Sequence, residues 1–102
     1  DMTTIKIPFL VQFETPMLNG IKTATSRTRR YGHAGDRFVA WGETFQLLFV
    51  YTIRLSSVRD LYYSQEGCAS PAEFEQVWAQ IHPKRGFVPE QLVWLHEFVR
   101  AP

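Results

Sequence analysis

Three short polar segments of this chain carry side chains suited to chemistry, and each lies beside a turn signal. They are residues 22–27 (Lys-Thr-Ala-Thr-Ser-Arg), the loop at 29–36, and residues 65–67 (Gln-Glu-Gly). Together they supply an amine, hydroxyls, guanidinium groups and a carboxylate, which are the groups used in acid–base and nucleophilic catalysis. A plainer interpretation also fits the pattern: a solvated lysine, ordinary strand threonines, and a surface carboxylate beside a helix N-terminus.

The chain is long enough for one domain, and we expect residues 1–102 to form a single one. Its 102 residues are 45% hydrophobic and 15% aromatic, which excludes a disordered chain and a two-domain enzyme. The net charge is only +1, but it is unevenly distributed. Five of the eleven basic residues fall within 22–37, whereas 60–75 holds four carboxylates and no Lys or Arg. A basic segment and an acidic segment are therefore available to face each other.

Cysteine usage and hydropathy bear on location and cofactors. The single Cys68 cannot form an internal disulfide and is too few for a metal site, which predicts a reducing compartment and no metal. No apolar run approaches the ~20 residues of a membrane span, and no leader pattern is present, so we expect a cytoplasmic protein without a membrane partner. Asp1 before Met2 is interpreted as a processing remnant.

The first third of the chain predicts alternating short elements. The imperfect alternation over Ile5–Phe13 predicts a strand, with Pro8 at an edge or bulge. Glu14–Asn19 predicts a short helical turn that ends at Gly20, and Ile21–Arg27 predicts a second strand. Arg29–Asp36, with two glycines and no apolar period, predicts an exposed loop.

The middle of the chain predicts a hairpin. Its arms are Arg37–Trp41 and Phe45–Leu55, joined at Gly42-Glu43-Thr44. The second arm is nearly all apolar or β-branched, and it is long enough to bend and serve two sides of a closed sheet.

The clearest helix signal lies near the C-terminal third. Ser70 is the expected N-cap, Pro71 the first helical residue, and Glu73 completes a capping box before Pro83 ends the helix. One apolar face is formed by Phe74, Val77, Trp78 and Ile81. With a final strand over Leu92–Val99, the elements predict an α+β fold: a small, mainly antiparallel β-barrel of five to six strands with one clear helix and one or two helical turns.

Four blocks of the sequence resemble the ASCH domain, a PUA-like β-barrel family associated with RNA. The segment 17–27 is similar to the family's I-L-x-G-x-K-T-x-T-x-R motif. Three further blocks follow in the family's order: Gly35-Asp36 before the hairpin, Gln65-Glu66-Gly67 with Ser70, Glu73-Phe74 and Trp78 at the helix entry, and Val93–Phe98 as the closing strand.

The resemblance implies a cleft in which residues 22–27 face the Glu66 turn. Small bacterial amidohydrolases of this superfamily remove the acetyl group from N(4)-acetylcytidine with a Lys, a Thr three residues later and a Glu before the helix. In this chain the matching positions are Lys22, Thr25 and Glu66, which the resemblance identifies as catalytic.

Amide hydrolysis assigns roles to these side chains. The Thr25 hydroxyl is the candidate nucleophile, the Lys22 amine the proton acceptor, and Arg27 or backbone N–H groups the stabilisers of the oxyanion. A base needs a pKa near about 7 to 8, whereas lysine normally has about 10.4. Burial and Arg27 would lower that pKa and Glu66 would raise it, so a second role stays open: a charged Lys22 that clamps a carbonyl oxygen or a phosphate.

Further residues are predicted to bind substrate or RNA. Arg27, Arg29 and Arg30 suit contacts to phosphate, and His33 is either a titrating or phosphate-binding group or simply solvated. Tyr63 is the candidate for stacking on a base, and the alternative for this residue is packing in the core or at its rim.

The other aromatic and histidine residues have less specific signals. The same two interpretations, stacking on a base or packing in the protein, apply to Tyr31, Trp41 and Tyr62. His82 is placed at a helix C-terminus, and His96 is expected to face solvent or plug the barrel.

Two classes of function remain. The first is hydrolysis of an acylated nucleoside, N(4)-acetylcytidine in type, without a cofactor. The alternative is a non-catalytic RNA-binding module, or a ribonuclease, that uses the same basic cleft. A carboxylate facing Lys22 would repel phosphate, which favours a modified nucleoside over single-stranded RNA as the partner. No obligate protein partner is implied.

Overall fold

The protein is an α+β domain built on one five-stranded sheet, and the computed structural model describes residues 3–102. The interpretation of Asp1 lies outside the described residues. The sheet order is β1-β3-β4-β5-β2, with β1 parallel to β3 and every other pair antiparallel. The strands are β1 (Thr4–Ile5), β2 (Ala24–Arg27), β3 (Arg37–Ala40), β4 (Glu43–Arg54) and β5 (Leu92–Arg100).

Three α-helices and one 3-10 turn accompany the sheet in the described residues. They are the 3-10 turn Val11–Phe13, α1 (Glu14–Leu18), α2 (Leu55–Leu61) and α3 (Pro71–Ile81). The Ser70 cap and the Pro71 start of α3 are confirmed: Ser70 Oγ accepts a hydrogen bond from the Glu73 N–H at 3.1 Å, and Pro71 opens the helix. The reciprocal hydrogen bond of a capping box, from the Ser70 N–H to the Glu73 carboxylate, is not present in the described residues. Helix α2 was not predicted, because its apolar start continues the pattern of β4. Within residues 3–102 no helix combines the length and hydrophobicity needed to cross a membrane.

The predicted hairpin forms between β3 and β4 with a tighter turn than expected. Ala40 pairs with Glu43, which leaves only Trp41 and Gly42 in the turn. Both residues have positive φ, 58° and 75°, as a type I′ turn requires at its two central positions.

The sheet is open, so the expectation of a closed barrel is wrong. Strands β1 and β2 are its two edges and do not pair with each other. The predicted strand Ile5–Phe13 is paired only at Thr4–Ile5, after which the chain passes Pro8, which has no N–H to donate, and turns into the 3-10 segment. This segment covers the core instead of closing the sheet: Ile7 is buried although it lies in no strand.

The second predicted strand is also shorter than expected. Ile21 and Lys22 both donate their backbone N–H to the Pro16 carbonyl, at 2.9 and 3.0 Å, so pairing with β5 begins only at Ala24. The predicted arm Phe45–Leu55 ends one residue early, because Leu55 is the first residue of α2.

Buried hydrophobic residues form two clusters that place the cleft. The first joins α2 and α3 to β2 and β5 and contains Phe74 and Trp78. The second contains Phe38, Phe45 and Phe98, with Phe9 and Phe13 of the N-terminal segment packed against it. Ala24 of edge strand β2 belongs to the first cluster, and the cleft is lined by the rest of this strand together with Phe9 and Phe13.

Candidate functional site

A cleft of about 340 Å³ lies between the N-terminal segment, β2 and α3. Three of the four residues of β2 line it, together with Lys22 and Glu66. Aromatic and aliphatic side chains supply most of the wall: Phe9, Leu10, Phe13, Tyr31, Phe74, Val77, Trp78 and Ile81. The three residues that the sequence assigned to catalysis, Lys22, Thr25 and Glu66, are therefore brought to one cavity.

Lys22 reaches this cavity from a turn. Helix α1 ends at Leu18, and Gly20 follows the Asn19 C-cap with a φ of +73° that reverses the chain. The hydrogen bonds to Pro16 hold Lys22 outside the strand. Residues three apart on a regular strand point to opposite faces, so the position of Lys22 outside the strand lets its side chain enter the same cavity as Thr25.

The turn that carries Glu66 is fastened to the same place by its backbone. The Gln65 carbonyl accepts hydrogen bonds from the N–H groups of Thr23 and Ala24, at 2.8 and 3.0 Å. Gly67 has a φ of +90°, and a Cβ there would stand 3.3 Å from Lys22 Cβ. The Glu-Gly pair is thus explained locally, because only glycine permits both this conformation and the close approach of the lysine stem.

The Lys22 ammonium is enclosed by three oxygen acceptors. Nζ lies 2.8 Å from the Ala24 carbonyl, 2.8 Å from the Glu66 carbonyl and 3.2 Å from Glu66 Oε1, with the Phe13 ring centroid at 4.4 Å. The side chain is 2% exposed, so the interpretation of Lys22 as a solvated charge is wrong. Burial lowers the pKa of Lys22 and the adjacent Glu66 carboxylate opposes this. The three oxygen acceptors match the three hydrogens that an ammonium donates, so this geometry favours the charged form of Lys22.

Thr25 and Arg27 form a second polar pair, on the face of β2 opposite to Ala24. Arg27 Nε donates to Thr25 Oγ1 at 2.9 Å, and the guanidinium also donates to the Pro8 carbonyl. Its Cζ lies 4.9 Å from the Phe9 ring centroid, and burial lowers its pKa. Thr25 is not among the hydrogen-bond partners of Lys22 Nζ in the described residues. Its hydroxyl accepts from Arg27, which leaves the hydroxyl hydrogen free to donate.

Three residues that line the cleft contain a buried polar atom without a hydrogen-bond partner in residues 3–102. These atoms are Ser26 Oγ, Glu66 Oε2 and Trp78 Nε1. Folded proteins leave few buried polar groups unpaired, and a concentration at one cavity calls for an explanation. Together they offer a hydroxyl, a carboxylate acceptor and an indole N–H donor.

The remaining predicted binding residues lie elsewhere. Arg29 and Arg30 stand outside the cleft lining, with guanidinium carbons 4.0 and 5.2 Å from the ring centroids of Tyr31 and Trp94. His33 is solvent-exposed and faces Asp36 at 3.9 Å. Tyr63 packs against the hydrophobic cluster that contains Phe74 and Trp78, as the packing interpretation expects.

Several residues that line the cleft, or pair with a residue that lines it, were not selected from the sequence. Phe13 belongs to a segment that was assigned to a strand, and Trp78 lies on the apolar face of α3, where its period signals only core packing. His96 is fully buried, so of its two expected positions the solvent-facing one is wrong. The available signal was a histidine placed amid apolar residues in Val93–Phe98, which an ordinary buried strand does not need.

The thiol and carboxylates of this region do not form a metal centre. Within residues 3–102 no group of three or more His, Cys, Asp or Glu side chains is arranged to hold a metal ion. Cys68 lines the cleft, but burial raises the pKa of its thiol to about 11, which keeps it protonated at neutral pH.

Comparison with solved structures identifies the fold of this chain. No protein-family model matches the sequence, and a search of curated proteins finds no significant match. Among solved structures, the ASCH domain from Lactobacillus crispatus JV V101 is similar with a TM-score of 0.76 and 12% identity, covering 97% of this chain and 79% of that one. Protein EF3133 from Enterococcus faecalis V583, described with the family designation DUF984, is similar with a TM-score of 0.63 and 18% identity, covering 88% and 70%. These likenesses establish that the chain has an ASCH-like fold.

Proposed function

We propose that this protein is an ASCH-type amidohydrolase that binds an acylated nucleoside in the cleft and hydrolyses its exocyclic amide, with N(4)-acetylcytidine as the defining substrate type. The observation that carries the proposal is the buried Lys22–Glu66 pair at the wall of a largely apolar cleft of about 340 Å³. That volume lies within the range of small-molecule sites, and aromatic walls suit a planar base. The fold similarity and the four sequence blocks support the same assignment.

In this proposal the proton acceptor is a different residue from Lys22, which the sequence had suggested for that role. An ammonium that already donates three hydrogen bonds is poorly placed to accept a proton. We assign proton transfer to Glu66 Oε2, which has no partner among the described residues. The charged Lys22 holds Glu66 in place, and Arg27 supplies positive charge beside Thr25.

The proposed reaction proceeds in two balanced steps. Thr25 Oγ attacks the acyl carbon, its proton passes to Glu66, and the carbon–nitrogen bond breaks as Glu66 returns that proton to the leaving amine. Water then attacks the threonyl ester, Glu66 takes a proton from the water, and the acid is released as Thr25 regains its hydrogen. The net change is one amide and one water to one amine and one carboxylic acid.

The direct test follows acetate release from N(4)-acetylcytidine. Thr25→Val keeps the shape of the side chain but removes the nucleophile, and we expect turnover to fall by at least about 100-fold. Thr23→Val is the matched control, since Thr23 lies two residues away and does not line the cleft. The absence of turnover by the wild-type protein, or full activity of Thr25→Val, would refute the reaction.

A second candidate function rests on a separate observation. Arg29 is exposed and lies against the Tyr31 ring, as a contact for an RNA phosphate would. In this alternative the protein binds single-stranded RNA without chemistry. Binding that weakens with salt, combined with no release of acetate, would favour it.

A further inference from the structure

His96 occupies a position that links two walls of the cleft. It lies in the middle of β5, fully buried, and pairs directly with Thr25 of β2. Residues directly opposite each other in neighbouring strands share a face of the sheet, so the imidazole lies on the side to which Thr25 points. Tyr31, which also lines the cleft, meets the imidazole edge to face with ring centroids 6.0 Å apart.

The hydrogen bonds of His96 define its protonation. Nδ1 lies 3.2 Å from the Thr25 carbonyl and 3.1 Å from the Trp94 carbonyl, and both oxygens only accept. Nε2 lies 3.0 Å from the Tyr31 backbone nitrogen, which only donates. Nδ1 must therefore carry the hydrogen and Nε2 must be bare, which is one tautomer of the neutral ring.

The surrounding charges favour the same neutral state. Arg27 of β2 and Arg30 of the 29–36 loop both act against a positive imidazole, and burial does so more strongly. Tyr31 faces the ring from that loop, and Val50 is the cross-strand partner on β4. His96 takes part in no ion pair with a carboxylate in residues 3–102, so protonation would gain no compensating partner there.

Tyr31 connects His96 to the cleft, because its backbone binds the imidazole and its ring lines the cavity. Its ring lies 5.4 Å from the Arg27 guanidinium carbon and 4.0 Å from that of Arg29. An aliphatic residue at position 96 would fill the strand but leave the Tyr31 N–H without its acceptor. The histidine thus accounts for a backbone link between the sheet and the loop that an apolar strand residue cannot make.

We propose that His96 is a positioning residue, a neutral bridge that fixes the Tyr31 wall of the cleft against β2 beside Thr25. The kinetic part of this inference rests on the proposed amidohydrolase function, and the spectroscopic part does not. His96 acts through Tyr31 and does not touch the reacting atoms.

Two amide variants separate the two ends of the bridge. In His96→Gln the terminal amide reaches the place of Nε2, so its oxygen can accept from the Tyr31 N–H. In His96→Asn the shorter amide reaches only the place of Nδ1 and can donate to the Thr25 carbonyl. We expect His96→Asn to raise KM about tenfold with kcat little changed, and His96→Gln to restore most of the loss. Equal KM values for the two variants would overturn the inference.

Nitrogen NMR of the imidazole and the Tyr31 amide keeps the proposal testable without activity. The expected result is a bare Nε2 and a protonated Nδ1 at neutral pH, with Tyr31 amide exchange accelerated in His96→Asn but not in His96→Gln. A proton on Nε2, or unchanged exchange in His96→Asn, would refute the bridge. If the NMR results hold but N(4)-acetylcytidine is not hydrolysed, the proposed reaction fails and the positioning role stands.

Discussion

The cleft and the neighbouring loop hold positive charge in opposite ways. Lys22 is 2% exposed and surrounded by three oxygen acceptors, one of them a carboxylate. Arg29 is exposed and rests on an aromatic ring. A buried charge must have fixed partners because desolvation is costly, whereas an exposed charge remains available to a ligand. Lys22 therefore organises the site, whereas the exposed Arg29 remains available to a ligand outside the cleft.

Removing the buried charge should have the largest effect on stability. Lys22→Met keeps most of the stem against Gly67 but leaves Glu66 as an unpaired buried carboxylate. Loss of one partner of a buried pair typically costs about 3–5 kcal/mol, so we expect the free energy of unfolding in urea to fall by this amount. Lys84→Met, at an exposed position, is the control and should change it by less than about 0.5 kcal/mol. A similar small change in both variants would mean that Lys22 is not the organising charge.

A smaller effect should follow from crowding the lysine stem. Gly67→Ala places a side chain at φ +90° and 3.3 Å from Lys22 Cβ, whereas Gly86→Ala meets φ +68° with no atom within 4 Å. Both substitutions strain the backbone, at about 1–3 kcal/mol, and only Gly67→Ala also displaces Lys22. We expect Gly67→Ala to be the more destabilising and the only one of the two to lower deacetylation. Equal losses of stability and activity would show that the contact with Lys22 is unimportant.

The sequence was informative where local chemistry decides the structure. The start of α3 depends on Ser70 and Pro71, and both take the predicted N-cap and first-turn positions, although the Glu73 side chain does not complete the capping box. The gathering of Lys22 and Glu66 followed from the family resemblance. Their burial did not, because it depends on backbone hydrogen bonds from Thr23 and Ala24 to a residue more than 40 positions away.

Other errors came from patterns that two structures satisfy equally well. The alternation in Ile5–Phe13 is met by an extended segment that covers the core without pairing, so the strand prediction and the closed barrel were both wrong. The apolar run through Leu55 continues into α2, and hydrophobicity alone does not locate the end of a strand. Trp78 lies on the apolar face of α3, so its period predicts core packing and does not reveal a role for its indole N–H.

The pH dependence of stability tests the neutral charge state assigned to His96. The pKa of His96 is lowered in the folded protein, mainly by burial, so the unfolded chain binds this proton more readily. Stability should therefore fall as the pH drops below about 6.5, by at most about 1.4 kcal/mol per pH unit from this one group. Urea unfolding of the wild type and His96→Gln at about pH 7.5 and about pH 5.5 measures the difference. If both proteins lose stability equally, His96 is not held neutral.

The smallest effect on stability is expected at the arginines of the 29–36 loop, of which Arg29 is exposed and Arg30 is half-buried. Replacing Arg29 and Arg30 together with alanine removes two cation–π contacts, which are worth about 0.5–1 kcal/mol each at most, and the hydrogen bond from Arg30 Nε to the Gly32 carbonyl. Deacetylation of free N(4)-acetylcytidine should be unchanged, because a nucleoside carries no phosphate for these side chains. Affinity for short single-stranded RNA should lose salt dependence, with the log–log slope reduced by about 1–2. An unchanged slope would mean that the loop does not contact phosphate, and a fall in nucleoside turnover would mean that the arginines serve the cleft itself.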